Sequence, residues 1–290
     1  MRYIFHNISR VTILFWSAVT LSRGVSRSAF PVQSFPESVG RRLALFSVAL
    51  FAGMGSTQGA TFGANPTADA FVTPGPNSSL ATNNYGGAGT LVIAAPGLPQ
   101  GEFQSVLQFN LGDAVSGFNT QFGSGQWSLQ TVTLQLTATV ANNAAFNAPA
   151  AGSFVARWMQ NDSWPEGGGS PGAPSANGIT FATLQSSYLS AADANLGTFG
   201  FTGATSGVYS YALGLPPGFV SDIMAAGNVS LRMFAADGSA SGVFNSRNFG
   251  TVANRPLLTL VAVPEPNTLA LAGLAVFALT AGSIFSRKRS

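Results

Sequence analysis

The stretch Val132-Thr133-Leu134-Gln135-Leu136-Thr137-Ala138-Thr139-Val140 decides the fold. Apolar side chains at every second position alternate with threonine and glutamine, which puts all the apolar residues on one face of a β-strand. A strand that is apolar on one face only belongs to a sheet with one buried side. The stretch therefore predicts a sheet that packs against a second layer.

Similar short runs recur between Thr61 and Ala262, separated by clusters of Gly, Pro and Asn that are typical of loops. Together they predict an all-β fold over residues 61–262, an antiparallel β-sandwich of jelly-roll-like type. The further predicted strands are Thr90–Ala94, Gln104–Asn110, Ser153–Gln160, Ile179–Leu184, Thr198–Phe201, Val208–Leu213, Val229–Ala235, Gly242–Arg247 and Leu257–Val261.

One segment, Pro217–Ala226, has a helical period instead. Phe219, Val220, Ile223 and Met224 share one helical face, and Gly227 supplies a stop signal. We predict one short helix that crosses an end of the sandwich.

Residues 1–60 have the features of a leader. The pair Arg41-Arg42 precedes the apolar run 43–52, and the small-residue sequence Gln58-Gly59-Ala60 follows. This order is typical of a signal peptide, and it predicts export with 41–60 as the functional signal and cleavage after Ala60.

Residues 263–290 form a three-part tail: the segment Val263-Pro264-Glu265-Pro266, the apolar run Thr268–Phe285, and the cluster Arg287-Lys288-Arg289. As a helix the apolar run would be about 27 Å long, close to the roughly 30 Å core of a bilayer. It predicts a single transmembrane helix over 268–285. Because clustered basic residues stay on the cytoplasmic side, the C-terminus is expected in the cytoplasm and residues 61–262 outside.

This tail resembles the PEP-CTERM protein-sorting domain. The resemblance lies in Pro264-Glu265-Pro266, in the Gly273-Leu274 element of the span and in the terminal basic cluster. It implies that an exosortase-type enzyme recognises Pro264, Glu265 and Pro266 and cleaves nearby. It also implies stop-transfer by Arg287, Lys288 and Arg289, and delivery to the cell surface or extracellular matrix of a bacterium.

Composition excludes several kinds of chemistry. The chain has no cysteine, and its one histidine, His6, lies in the leader. Ser-His-Asp and Cys-His nucleophile systems and the usual zinc sites are therefore absent from the predicted mature segment. Between Thr61 and Val263, four arginines against eight carboxylates give a net charge of −4. Nucleic-acid binding has no electrostatic basis in such a segment.

The segment from Ala68 to Val261 resembles DNRLRE, or disaggregatase-related, domains. These are β-sandwich modules of secreted proteins, and some bind carbohydrate, so the resemblance implies the same fold and favours a polysaccharide ligand. It rests on 69–72, 84–86, 106–111, 132–136, Trp158, Trp164-Pro165-Glu166-Gly167, Phe244-Asn245-Ser246-Arg247 and 255–260.

Sugar binding needs aromatic ring faces beside polar side chains. The candidates are Trp164, Trp158, Arg157, Tyr209 and Tyr211, with Trp164 first because it lies in a polar, Gly-rich loop. The alternatives are that the tryptophans belong to the core and that the two tyrosines, which share one side of a strand, only cover a sheet.

Carboxylates suggest two other functions. Asp69, Asp162 and Glu166 are candidate ligands of a structural calcium ion, but the sequence has no EF-hand spacing and favours solvated loop acids as the explanation. No other cofactor is expected. Asp162 and Glu166, four residues apart, could serve a carboxylate-dependent polysaccharide hydrolase or lyase. We expect Arg247 and Arg255 to form bridges near the last strands.

The sequence favours a non-catalytic, exported surface protein whose sandwich contributes to the extracellular matrix or binds its polysaccharide. A purely structural sandwich without a defined ligand is the second interpretation. The polysaccharide-cleaving enzyme, which belongs to another class, is the third.

Overall fold

The computed structural model describes residues 58–140 and 149–265. The predicted transmembrane helix 268–285, the basic cluster that follows it and the leader before Gln58 lie outside these residues. No helix within the described ranges is long and apolar enough to cross a membrane.

The described residues form three antiparallel sheets. One has the strand order β1-β11-β5-β8, the second β2-β4-β9-β6-β7, and β10 pairs with β3 in the third. The strands are β1 (Ala60–Ala64), β2 (Pro66–Val72), β3 (Thr90–Ala94), β4 (Gln104–Asn110), β5 (Trp127–Thr137), β6 (Gly152–Met159), β7 (Ala194–Phe201), β8 (Val208–Leu213), β9 (Asn228–Ala235), β10 (Ser241–Asn245) and β11 (Leu257–Pro264).

The four-stranded and five-stranded sheets enclose a single core. Leu134 on β5 is paired with Leu258 on β11, and both side chains are fully buried. The same cluster contains the inward residues of the opposite sheet, which confirms the predicted all-β sandwich. Its members from β4, β6 and β9 are Leu107, Phe109, Phe154, Ala156, Trp158, Val229, Leu231 and Met233.

The strand that decides the fold is shifted toward the N-terminus relative to the prediction. It begins at Trp127 and ends at Thr137, and Val132, Leu134 and Leu136 are fully buried as predicted. Val140, which the alternation placed on the buried face, is 51% exposed because the strand ends before it.

The predicted strand Ile179–Leu184 is wrong. The chain there forms a helical turn, α2 (Phe181–Thr183), which continues as a π-helical turn at Leu184–Tyr188. The side-chain oxygen of Thr180 accepts a hydrogen bond from the backbone N–H of Thr183 at 3.1 Å, and the Thr183 hydroxyl accepts one from Thr180 N–H at 2.9 Å. This reciprocal capping box starts a helix and overrides the β-propensity of the run.

The prediction of one short helix was incomplete. Helix α3 (Pro217–Met224) lies where it was expected, with Phe219 and Ile223 buried. Helix α1 (Gly112–Phe122) was missed, although its buried residues Ala114, Val115 and Phe118 have helical spacing. The glycines at 112 and 117 obscured it, since glycine is a poor helix former.

Gly117 allows α1 to pack against β1. A Cβ atom at this position would lie 2.3 Å from Cζ of Phe62, much closer than a real contact allows. The Phe62 ring also meets Phe118 edge-on, with 4.8 Å between the ring centroids. The missing side chain at 117 therefore makes room for an aromatic ring between the helix and the strand.

We predict that Gly117→Ala destabilises the protein by about 1–3 kcal/mol, because a methyl group overpacks this contact. The direction of the change in stability is informative, because Gly→Ala inside an exposed helix normally stabilises a protein. Urea unfolding of the purified protein measures the effect. Gly172→Ala is the control: its added Cβ would meet nothing within 4 Å, so its free energy of unfolding should stay within about 0.5 kcal/mol of wild type. A stabilised Gly117→Ala variant would contradict the packing described.

Candidate functional site

Both tryptophans predicted to bind sugar are interior side chains. Trp164 is 3% exposed, and its Nε1–H donates to Oγ of Ser230 at 2.9 Å. Trp158 is 6% exposed, and its Nε1–H donates to Oδ2 of Asp222 at 2.7 Å. Neither presents a ring face to solvent, so the assignment of Trp164 as the leading sugar-binding residue is corrected. Buried indoles with bonded N–H groups are typical of a core.

The two tyrosines share one side of β8, as predicted, and that side packs on the core. Their rings are nearly parallel, with 6.3 Å between centroids. Tyr211 is buried edge-on against Phe154, and burial raises the pKa of its hydroxyl. Tyr209 is half-buried and hydrogen-bonded to the Thr202 hydroxyl at 2.7 Å. The pair covers the sheet, which leaves little ring surface for a ligand.

Asp69 and Glu166 are brought together by an arginine. The guanidinium of Arg247 forms an ion pair with Glu166, with its Nε–H donating to Oε1 at 2.6 Å. The backbone N–H of Arg247 donates to Oδ2 of Asp69 at 2.6 Å, and Asp69 N–H donates to Oε1 of Glu166 at 3.1 Å. The predicted Arg247 bridge is thus present and links β2, the 160s loop and the residues after β10. Arg255 instead donates from Nε to the carbonyl of Phe249 at 2.8 Å.

This arrangement bears on the calcium candidates. Two of the three, Asp69 and Glu166, are joined by Arg247, whose guanidinium places its own positive charge beside them. The electrostatic neighbour of Asp162 is Asp222. In the described part of the chain, no three His, Cys, Asp or Glu side chains are placed to hold a metal ion.

Asn84, which the sequence did not mark as a site residue, anchors the same loops. It is fully buried, and its Nδ2 donates to the carbonyls of Glu166 at 2.6 Å and Ile179 at 2.7 Å. Its Oδ1 accepts from the N–H groups of Gly86 and Gly169, both at 3.1 Å. All four hydrogen-bonding positions of the amide are therefore filled. Asn84 therefore fixes the loops around 84–86 and 166–169 to each other, and the backbone at Ile179 is bonded to the same amide.

Asp69 is 1% exposed, and burial raises the pKa of its carboxyl to about 7. The hydrogen bond from Arg247 N–H opposes the shift, the charge of Glu166 adds to it, and the charge of Arg247 opposes it. Because the pKa is higher in the folded state than in the unfolded chain, the folded state holds this proton more tightly. The contribution of Asp69 is most favourable below the unfolded pKa near 4 and is lost as the pH rises to about 7.

We predict that Asp69→Asn reduces the loss of stability between about pH 4 and pH 7, because asparagine can accept the same hydrogen bond without carrying a charge. Urea unfolding at about pH 4.5 and about pH 7.5, on either side of this window, measures the effect. The exposed Asp113→Asn is the control and should leave the difference between the two pH values in place. A wild-type protein that gains stability over this range would contradict the assignment. So would an Asp69→Asn variant whose free energy of unfolding changes with pH as that of wild type does.

A polar cleft of about 680 Å³ lies between the loop that follows β6 and the residues that follow α2. Its walls are joined by hydrogen bonds from Ser190 Oγ to Gln160 Oε1 at 2.9 Å and from Asn161 Nδ2 to the Ser187 carbonyl at 3.3 Å. It combines hydroxyl, amide and carboxyl groups with one aromatic ring. The lining residues are Gln160, Asn161, Asp162, Ser163, Ser187, Tyr188, Leu189 and Ser190.

Asp162 is the acidic group of the cleft. Its Oδ1 is buried and has no hydrogen-bond partner within the described residues. Burial raises the pKa of its carboxyl to about 6, a hydrogen bond from Ser230 opposes this shift, and the charge of Asp222 adds to it. The predicted partner Glu166 forms an ion pair with Arg247. It is therefore not free to pair with Asp162 in acid–base chemistry.

Arg157, the remaining sugar-binding candidate, adjoins the cleft. It is half-buried and donates from Nη2 to the carbonyl of Asp193 at 2.6 Å. The carboxylate of Asp193 in turn accepts from the backbone N–H of Gln160 at 3.0 Å and of Ser190 at 3.1 Å. Asp193 thus connects the arginine to two residues of the cleft wall.

The predicted sorting motif begins inside the sandwich. Pro264 is the last residue of β11 and lies opposite Trp127 of β5. The N–H of Glu265 donates to the carbonyl of Gln126 at 2.9 Å. Pro266 and the stop-transfer residues lie outside the described residues. The sandwich therefore continues up to the motif without an intervening linker.

Comparison with known proteins identifies this tail. Residues 262–289 match the family model described as the PEP-CTERM protein-sorting motif. The match supports an exported, cell-envelope-associated protein and implies processing by an exosortase. No curated protein matches the chain. The likeness of the sandwich to DNRLRE domains stays a prediction.

Proposed function

We propose that this chain is a non-catalytic surface protein, exported and processed by an exosortase, whose sandwich binds polysaccharide of the extracellular matrix in the polar cleft. The observation that supports the ligand class is the composition of the cleft. Hydroxyl, amide and carboxyl groups surround one tyrosine ring in a space of about 680 Å³. Sugars offer many hydroxyl groups together with apolar C–H faces, and such a lining can satisfy both.

Asp162 strengthens this proposal. Its carboxyl belongs to the cleft lining, and a carboxylate is a strong acceptor for sugar hydroxyl groups. A sugar hydroxyl is a donor of the right size and can accept from neighbouring serine and amide groups at the same time. The cleft therefore offers a better basis for recognition than the buried tryptophans.

We predict that Tyr188→Leu lowers polysaccharide affinity at least about tenfold, because the ring supplies the only aromatic surface of the cleft lining. Leucine keeps an apolar group where Tyr188 packs against the buried apolar cluster that contains Trp164, Ile179 and Leu184. The matched control is Tyr209→Leu, which changes a half-buried tyrosine on β8 and should bind normally. Affinity electrophoresis against neutral and acidic polysaccharides measures both variants.

The outcome separates this proposal from a purely structural role. If wild-type protein binds no polysaccharide of either class, the sandwich has no such ligand and the structural interpretation replaces ours. If Tyr209→Leu loses binding and Tyr188→Leu does not, the ligand lies at the tyrosine pair and the cleft is excluded.

One observation favours an enzyme as a second candidate. A carboxyl with a pKa of about 6 beside a second carboxylate can hold a proton near neutral pH, as a general acid must. An enzyme would release reducing or unsaturated sugar ends from a bound polymer and lose this activity in Asp162→Asn. We expect no release by wild type, because Glu166, the predicted partner of Asp162, is neutralised by Arg247, and Asp222 already accepts the hydrogen bond of the Trp158 indole.

We further predict that the mature protein ends near Pro264-Glu265-Pro266. Mass spectrometry of the surface-associated protein measures its C-terminal mass. Substitution of all three motif residues by alanine should leave the tail attached and raise the mass accordingly. Asn267→Ala, directly after the motif, is the control and should be processed as wild type. A wild-type surface protein that retains the run Thr268–Phe285 would show that the tail is a plain anchor.

A further inference from the structure

Two arginines face each other on the outer side of the five-stranded sheet. Arg157 on β6 lies directly opposite Arg232 on β9 in the strand register. Their chain neighbours Trp158 and Leu231, also paired, point into the core, so the arginines point away from it. Half of the four arginines between Thr61 and Val263 are thus placed side by side in a segment of net negative charge.

The charges of this pair are not neutralised by the protein. In the described part of the chain, neither guanidinium forms an ion pair with a carboxylate within 4.0 Å. Arg157 Nη2 donates to the Asp193 carbonyl, and Arg232 Nε donates to the amide oxygen Oε1 of Gln104 at 2.8 Å. Both acceptors are uncharged. Arginine stays protonated at any working pH, and like charges directly opposite on neighbouring strands are destabilising.

The guanidinium groups are nonetheless held in position. Cζ of Arg232 lies 4.4 Å from the centroid of the Phe234 ring, a cation–π contact on the same face of β9. Gln104, which binds Arg232, is itself fixed by a hydrogen bond from its Nε2 to Oε1 of Glu102. On the other side, Nε of Arg157 is buried and has no acceptor among the described residues.

The electrostatics agree with this geometry. Burial lowers the pKa of Arg232, and the charge of Arg157 lowers it further, while Glu102 and Asp193 act in the opposite direction. The carboxylate of Asp193 is already bonded to two backbone N–H groups, and that of Glu102 to Gln104. The flanking acids therefore moderate the positive field at the pair and do not remove it.

The loop that covers part of this outer face leaves both arginines partly exposed. Its residues Trp164, Ile179 and Leu184 pack over Val106 and Met159 of the same sheet and bury that half. Toward β7 the outer residues are less covered, since Arg157 and Phe234 are half-buried and Asn195 and Thr198 are exposed.

We propose that Arg157 and Arg232 together bind an oxyanion group of an acidic polysaccharide, with a uronic acid carboxylate as the expected group. This inference rests on the proposed function, because Asp193 links Arg157 to the cleft wall and a bound chain would extend from one to the other. A planar carboxylate matches the fork of a guanidinium and can accept from both side chains. It would neutralise the repulsion across the two strands.

Binding to sodium polygalacturonate and to the same polymer with its carboxyl groups reduced tests this directly. We expect the intact polymer to bind wild-type protein about ten- to a hundredfold more tightly than the reduced one. Arg157→Gln and Arg232→Gln should each remove most of that difference. Arg255→Gln is the matched control, because Arg255 also donates from its guanidinium to a backbone carbonyl, near the last strand, and it should bind as wild type.

Stability measurements exclude a trivial loss of fold. Without ligand, the two glutamine variants should melt at the wild-type temperature or slightly above it, because the repulsion is gone. If either unfolds early, Arg157→Lys and Arg232→Lys keep the charge and lose only the planar fork, and they should show an intermediate affinity. Polygalacturonate should raise the melting temperature of wild type and have little effect on the glutamine variants.

A sulfated dextran distinguishes the source of the oxyanion. If it binds more tightly than polygalacturonate and depends equally on both arginines, the oxyanion site stands and the carboxylate assignment is overturned. If intact and reduced polygalacturonate bind equally, or if neither arginine matters, the inference is wrong.

The two proposals can fail separately. If Tyr188→Leu weakens binding and the arginine variants do not, binding in the cleft is supported and the oxyanion site is contradicted. If only the arginine variants weaken binding, the oxyanion site is supported and binding in the cleft is contradicted. Absence of binding to every polymer overturns both.

Discussion

The fold depends on the burial of one apolar face of β5 and β11 against the inner face of the five-stranded sheet. Leu134 and Leu258 meet across these strands in the centre of the core, and no cysteine is present to reinforce the contact. A domain without disulfides must obtain its stability from the area that it buries. The side chains on the outer faces are not part of this core, so they can hold loops in place or contact a ligand.

A second constraint organises the outer side of the five-stranded sheet. The ion pair of Arg247 with Glu166 and the buried amide of Asn84 fix several loops to one another. With them in place, the segment that contains Trp164 covers one half of the sheet and leaves the other half open. The polar cleft and the arginine pair lie along this segment and beside it. A structural network thus decides which surface is available for recognition.

Much of the strand pattern could be predicted from local sequence, since alternation reports directly which face is buried. Strands β3, β4 and β8 begin and end where the pattern predicted. The errors have local physical causes: a capping box turned 181–188 into helical turns, and two glycines concealed α1. The candidate site was harder to predict. Trp164 lies in a polar, Gly-rich loop, and the sequence around it does not indicate that its ring is buried against the sheet.

The sequence by itself determined the sandwich class, the mild negative charge of the segment between the terminal signals, and the sorting motif that the family match confirms at 262–289. These properties follow from composition, from period-two alternation and from short contiguous motifs. Only the tertiary structure decided that Arg157 faces Arg232, that Arg247 joins Asp69 to Glu166, and that the cleft forms where it does. Each of these contacts joins residues far apart in the chain, and strand register and loop packing, which no local pattern specifies, bring them together.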